Sequence, residues 1–203
     1  MPTFKGFDVL EQMPDPTGGI AENSFRDFEV FDPGLGSFEA QTRGRYPVQG
    51  RTLLWKCMKR SDVTALRQFI DARKGRLVPF WLPSFARDMM LVTSTSVGAQ
   101  TFNIFWCGYS TLLFPAGNMR RHLRIDGSAG AFYRTVTTAA ENDPFSENIT
   151  VDTVMDVSID QNTLVSFMRL CRLDADDAHI SWQGSNYAEV RLPFVELPFE
   201  VPS

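Results

Sequence analysis

Residues 51–83 read RTLLWKCMKRSDVTALRQFIDARKGRLVPFWLP, and their reading decides the fold. Arg51 to Lys59 is a strand by alternation: Leu53, Trp55 and Cys57 fall on one side, Leu54, Lys56 and Met58 on the other. One face is therefore buried and the other half-covered. A helix follows over 61–74. Ser61 is placed to cap it, Asp62 favours its positive end, and Val63, Leu66, Phe69 and Ile70 form an apolar stripe. Arg73 and Lys74 suit the negative end, and Gly75 is the residue expected just past it, free to take positive φ. Leu77 to Pro83 then returns to extended structure, with Pro79 and Pro83 excluding a regular central strand along its whole length.

Upstream, Phe25, Phe28, Phe31 and Phe38 are interrupted by Asp32-Pro33-Gly34 and Gly36, a density of turn formers that a helix does not tolerate. The first fifty residues read as short strands or an extended arm that packs on a neighbouring chain. Downstream, from Met90 to about Gln161, the chain is richer in Thr, Ser, Val and aromatic residues. Turn signals stand at Gly98, Gly108, Pro115-Ala116-Gly117-Asn118, Asp126-Gly127 and Glu141-Asn142-Asp143-Pro144. Runs of this kind predict a small antiparallel barrel or sandwich. VDTVMDVSID reads as its clearest strand, with Val151, Thr153, Met155, Val157 and Ile159 on the core face and Asp152, Asp156, Ser158 and Asp160 on the wet face. Leu164 to Leu173 fits either period, and strand is favoured. HISWQ and YAEVRLPFVEL flank Gly184-Ser185-Asn186, a hairpin signal; Ile180 and Trp182 face one way, and Ala188, Val190 and Leu192 follow period two.

The fold class that results is mainly β: an antiparallel β-sandwich with one flanking helix at about 61–74. The composition shift divides it into a discontinuous sandwich, 1–89 plus 162–203, and an inserted small β-region, 90–161.

The bulk numbers narrow the function. A chain of 203 residues with 43% hydrophobic residues can bury a real core. A net charge of −4 leaves no dominant basic surface to neutralise phosphates, which argues against nucleic acid as a direct partner. No apolar h-region precedes Pro14, and no run approaches the ~20 apolar residues of a membrane span. Cys57, Cys107 and Cys171 are odd in number and set among apolar neighbours, which reads as small buried hydrophobes in a reducing compartment.

Phosphate loops, GxSxG elbows, HExxH helices and dinucleotide fingerprints are missing. Cys107, His122 and Asp126 are the right residue types for a nucleophilic set, but no local signature surrounds them. Asp174, Asp176 and Asp177 could offer oxygens to calcium; without the glycine turn and bidentate glutamate of a calcium loop they read as a solvated turn. Trp81, Trp106, Trp182 and the tyrosines could stack on sugars, although a tryptophan within an alternating strand is more often core. Arg120-Arg121-His122-Leu123-Arg124 is the strongest local excess of positive charge, either a solvated strand edge or a surface for an acidic partner. The reading is of a non-enzyme, with no catalytic, cofactor-binding or metal-binding residues and no cofactor.

The strand–helix–strand of Leu53 to Pro83 resembles a pattern in the distal tail and minor tail proteins of bacteriophage tail tips. The positions that carry it are Leu66, Phe69, Arg73, Gly75, Pro79, Phe80, Trp81 and Pro83. Lambda-like minor tail proteins and the distal tail proteins of gene transfer agents are similar there. RLCRLDADDAHISWQGSNYAEVRLPFVELP, residues 169–198, resembles the closing strands of the same proteins. The departure is the long middle region, Met90 to Gln161. The resemblance implies a structural, virion-borne subunit made in the cytoplasm of a bacterial host. Such subunits form a homo-oligomeric ring of about six chains. The ring joins the tail tube protein to the hub or central fibre of the baseplate, with DNA only as passing cargo and no membrane partner. On that reading Asp152, Asp156 and Asp160 would suit a lumen that DNA passes without sticking. The alternative is a receptor- or carbohydrate-binding β-sandwich module of the tail tip.

Overall fold

A computed structural model describes residues 1–15, 20–25, 28–31, 39–42, 48–115, 120–183 and 187–197. Its strands are β1 (Thr3–Phe4), β2 (Phe7–Asp8), β3 (Ala21–Phe25), β4 (Phe28–Phe31), β5 (Glu39–Thr42), β6 (Val48–Lys59), β7 (Phe80–Pro83), β8 (Thr101–Phe105), β9 (His122–Gly127), β10 (Gly130–Asp143), β11 (Ser146–Val151), β12 (Leu164–Leu173), β13 (His179–Gln183) and β14 (Tyr187–Glu196). One α-helix, α1 (Arg60–Arg73), stands among them. The described residues are thus mainly β and antiparallel with a single flanking helix among them, in keeping with the expected β-sandwich class. The chain gathers into two compact units, one of Met1–Glu11 with Trp81–Arg169, the other of Gln12–Phe80 with Leu170–Glu200. The composition shift at Met90 falls inside the first unit's continuous run.

In the second unit, β14 pairs with β6 along one side; along the other it pairs with β13 at its start and with the end of β12 at its finish. β3 pairs with the outer side of β6, and β4 with β5 forms a separate hairpin. The helix covers β6 and β14 because Val63, Leu66 and Phe69 are buried on one side of it. Phe69 meets Phe80 edge-on at 5.0 Å between ring centroids, and Phe80 meets Phe194 at 5.7 Å. Ile70 is only half-buried.

Ser61 is not the cap. The helix begins one residue earlier, with Lys59 in the capping position and no side-chain cap, while the Ser61 hydroxyl turns to Asp62. The stop is as expected: Lys74 is left-handed (φ 51°) and Gly75 follows at φ 66°. The positive φ is what favours glycine at 75, and the Asp176 carboxylate beside it accepts the Arg76 backbone N–H. Arg73 is buried rather than exposed, its guanidinium stacked on Phe69 at 4.8 Å.

Met58 also departs from simple alternation. Ala188 and Val190 pair with Met58 and Trp55, so β6 holds one more residue than β14 between those pairs. That bulge turns Met58 onto the buried face with Leu53 and Trp55, while Lys56 stays exposed.

In the first unit the strand order is β12–β9–β10–β11–β8, with the first half of β12 paired to β9. Leu123, Ile125, Ile104, Ile149, Val151 and Val165 are fully enclosed in its core. Met1–Glu11 packs on its own chain. β1 and β2 close over a Lys5-Gly6 turn with both residues at positive φ, and Val9 and Leu10 are buried.

The segment 151–160 is not a strand. Val151 ends β11, and Asp152 to Ser158 is a loop held by buried Arg134, which donates to the carbonyls of Thr153 (3.1 Å) and Val154 (2.7 Å) and to Asp156 (2.6 Å). Met155 and Ile159 still reach the core, so the apolar half of the alternation is right and the ladder is not. Of the acids read as one wet face, Asp152 accepts the Thr135 N–H, Asp156 pairs with Arg134, and Asp160 accepts three donors from Asn162 and Thr163. Asp152 and Asp156 thus tie the loop to β10, and Asp160 holds the turn that leads into β12.

The ambiguous Leu164–Leu173 is a strand, buried on both faces. The C-terminal hairpin closes with Gln183 opposite Tyr187. Its Gly184-Ser185-Asn186 turn, the Ala116-Gly117-Asn118 signal, and Asp32 to Phe38 lie outside the described residues.

Candidate interaction surfaces

A buried carboxylate that the sequence reading missed organises the first unit's most exposed apolar region. Ile149 and Val151 point to the core, so by period two Glu147 does as well, and it is fully buried. It is satisfied there by donors from the segment after β8. One oxygen accepts the N–H of Cys107 (3.1 Å) and of Tyr109 (3.2 Å); the other accepts the N–H (2.8 Å) and hydroxyl (2.7 Å) of Ser110. Gly108, at φ 73°, bends the backbone so that these N–H groups converge, and a single π-helical turn, Tyr109–Leu113, follows. Burial pushes the Glu147 pKa up, but the hydrogen bonds from Ser110, Cys107 and Tyr109 outweigh it and hold the group below the ordinary carboxylate range. A carboxylate so occupied is an anchor rather than a general base.

What the anchor presents outward is apolar. Leu112 on the π-turn is 67% exposed, Phe105 48%, Trp106 50%, and Phe145, in the β10–β11 turn, 78%. The Trp106 N–H donates to the Phe145 carbonyl at 2.8 Å, tying the two segments side by side. Large apolar side chains grouped on an ordered frame mark a contact surface more often than an isolated exposed one does.

A second surface lies in the second unit. Trp182 on β13 is partly exposed, with the guanidinium groups of Arg60 and Arg67 over its ring at 5.2 and 6.0 Å. It was expected to share a face with Ile180; Ile180 is half-buried and Trp182 is the more open of the two. Beside it is a cleft of about 460 Å³ lined by Arg67, Ile70, Asp71, Ala178, His179 and Ile180. Among the described residues β13 pairs on one side only, with β14.

The residues weighed for catalysis have separate partners. The Cys107 thiol lies 3.5 Å from Glu147, and burial together with that negative charge pushes it up to about 11. A thiol protonated at neutral pH is a poor nucleophile. Cys107 is also exposed as a residue, against the expectation of a buried hydrophobe, whereas Cys171 is buried as expected. His122 is buried between Phe4 and Trp81, with its Nδ1 3.3 Å from the Thr135 hydroxyl; burial, aided by the Lys5 charge, lowers its pKa to about 4. Asp126 is taken by Arg124 at 2.8 Å.

The basic run 120–124 is no open patch. Arg120 lies over Phe167 and Arg121 over Phe114, His122 and Leu123 are buried, and Arg124 pairs with Asp126. Of the tryptophans weighed for sugar stacking, Trp81 is core, its Nε1 donating to the Phe4 carbonyl at 2.8 Å, and Trp106 and Trp182 are open. Tyr109 is buried, Tyr133 donates to Glu11 at 3.0 Å, and Tyr187 is exposed. Asp176 caps the turn after the helix, and among the described residues no group of three acidic, histidine or cysteine side chains could hold a metal ion. Among them, too, no helix is long and apolar enough to cross a membrane. No protein-family model matches the chain, and comparison with curated proteins gives no significant match.

Proposed function

We propose that this chain is a structural subunit of a bacteriophage tail tip, of the distal-tail or minor-tail type, that assembles into a ring between the tail tube and the hub. The observation that carries the proposal is the group of Phe105, Trp106, Leu112 and Phe145, standing in solvent on a hydrogen-bonded frame. An ordered apolar surface of this kind is stabilised by covering it with a partner. The resemblance supplies the identity of the assembly. Of the residues that carry it, Leu66, Phe69, Arg73, Phe80, Trp81 and Pro83 are buried, and Gly75 takes its positive φ. They are the residues that a shared framework would need.

The test is the native mass of the purified protein by native mass spectrometry and light scattering, across concentration and at two salt levels. A closed ring of about six chains, alone or on addition of a tail partner, is expected. A particle that stays monomeric with every tail partner overturns the reading. The open Trp106 and Phe145 favour a second reading, a carbohydrate-binding module of the tail tip. There a glycan array should give a signal that Trp106→Ala abolishes.

A further inference from the structure

We propose that the outward face of β8, β11 and β10 binds a neutral oligosaccharide, held by a ladder of amide and hydroxyl side chains and packed against Phe105. This rests on the carbohydrate-binding reading, to which it adds the site and the class of sugar.

Period two sets the face. On β8, Phe102 and Ile104 enter the core, so Thr101, Asn103 and Phe105 point the other way. On β11, Ile149 and Val151 enter the core and leave Asn148 and Thr150 outward. The register sets Thr101 opposite Thr150, Asn103 opposite Asn148 and Phe105 opposite Ser146. Thr138 and Ala140 of β10 continue the first two rows, opposite Thr150 and Asn148. None of these side chains is charged, in a chain of which 22% is. Solvated faces ordinarily mix lysine, arginine, glutamate and aspartate, so an uncharged one suits an uncharged partner.

The polar groups are fixed to one another. The Asn103 amide donates to the Asn148 side-chain carbonyl at 3.0 Å, the Asn148 amide to that of Asn142 at 3.1 Å, and the Asn142 amide to the Ser146 hydroxyl at 3.0 Å. The Thr101 and Thr150 hydroxyls share a hydrogen bond at 3.1 Å. Asp143, the carboxylate at the border of the face, is occupied by the Ser146 hydroxyl, the Asn142 amide and the Phe145 N–H. Asn103 and Asn148 each spend one amide N–H on the ladder, which leaves the second N–H of each, and the Asn103 Oδ1, open among the described residues. Donors and acceptors held in place before binding lose little entropy on binding, and closely spaced ones of both kinds match the hydroxyls of a sugar.

An apolar wall closes one end. Phe105 is 48% exposed on the face itself, and Phe145, next in the chain to its partner Ser146, is 78% exposed. A ring so placed packs on the C–H side of a pyranose while the ladder takes its hydroxyls. Charge decides the class. With no cation among these positions, phosphate, sulfate or uronate groups would be desolvated without a counter-charge, so the fitting sugar is neutral.

The test titrates the full chain, by calorimetry, with N-acetylchito-, malto- and cello-oligosaccharides and with oligogalacturonate as the charged control, and maps each complex by carbene footprinting. Saturable binding of a neutral oligosaccharide is expected, with protection of residues 101–105 and 138–150 and no binding of oligogalacturonate. Asn103→Ala should weaken binding roughly three- to tenfold, and Phe105→Ala about tenfold. Thr138→Lys removes no rung of the ladder but sets a long charged side chain on the face. It should block binding while far-ultraviolet circular dichroism and melting temperature stay unchanged. Neutral-sugar binding that protects other residues, or that survives Thr138→Lys and Phe105→Ala, would overturn this site while the carbohydrate-binding reading stands. Preference for oligogalacturonate would overturn the neutral class. A chain that binds none of these sugars, nor any on a glycan array, would overturn both the site and the reading beneath it.

Discussion

Two groups of aromatic side chains in the first unit show how differently the same residue types can be used. Phe4 and Trp81 pack on His122, Tyr133 packs on Phe4, and Trp81 and His122 are closed off from water. Phe105, Trp106 and Phe145 lie on strands and turns as well ordered by hydrogen bonds, yet their rings stand in solvent. The first group makes stability. The second is left over by folding, so its energy becomes available only when another surface covers it. The difference lies in the backbone elements behind each group: β1, β2 and β9 enclose the first, while the second sits at the end of β8 and the turn between β10 and β11.

The comparison breaks most visibly at Trp81. Trp81→Ala should cost about 3–5 kcal/mol in urea unfolding, because a full indole and its hydrogen bond to Phe4 leave a cavity. A loss below about 1 kcal/mol would mean that the hairpin does not seal this core.

His122 sharpens the same side of the comparison through pH. Its folded-state pKa, about 4, lies below the ordinary 6.5, so between these values the unfolded chain binds the extra proton. Stability should therefore fall as the pH drops from about 6.5 toward 4, by at most about 3 kcal/mol from this group at 1.36 kcal/mol per unit. The slope should flatten over that window in a His122→Leu protein; an unchanged slope would assign the acid sensitivity to other groups.

Glu147 links the two halves of the comparison, since it anchors the frame under the exposed group. Glu147→Gln replaces a charged acceptor with an amide whose NH2 end faces N–H donors, and should cost about 1–3 kcal/mol. Hydrogen exchange at Cys107, Tyr109 and Ser110 should quicken in the same protein. Smallest of all should be the effect of Phe145→Ser on unfolding, within about 0.5 kcal/mol, because the ring it removes is already in water. A larger loss would place Phe145 in the monomer's own core and remove it as a contact residue.

Much of the scaffold was legible in the residues. The helix stripe Val63, Leu66, Phe69 and the glycine stop at Gly75 read correctly because both are local: periodicity and positive φ need no distant partner. The cap did not, because Ser61 found Asp62 instead of the helix N-terminus. Met58 was assigned to the wrong face by one inserted residue, whose evidence lies in the register of β14 rather than in β6. At 151–160 the alternation of apolar residues was real, yet whether a ladder formed depended on Arg134, which lies some twenty residues earlier in the chain and takes the carbonyls for itself. Glu147 had a readable signal, its parity with Ile149 and Val151, but an acid on a core face looks like an error until its donors at 107–110 are seen.

By itself the amino-acid sequence determined the mainly β class, the one helix with its buried stripe, the C-terminal hairpin, and the pool of aromatic residues from which core and surface are drawn. Only the tertiary structure decided which of those aromatics face water and which charges are used up internally. The reason is range. Hydrophobic period and turn chemistry act over a few residues along the chain, whereas burial and ion pairing depend on strands that meet only after folding.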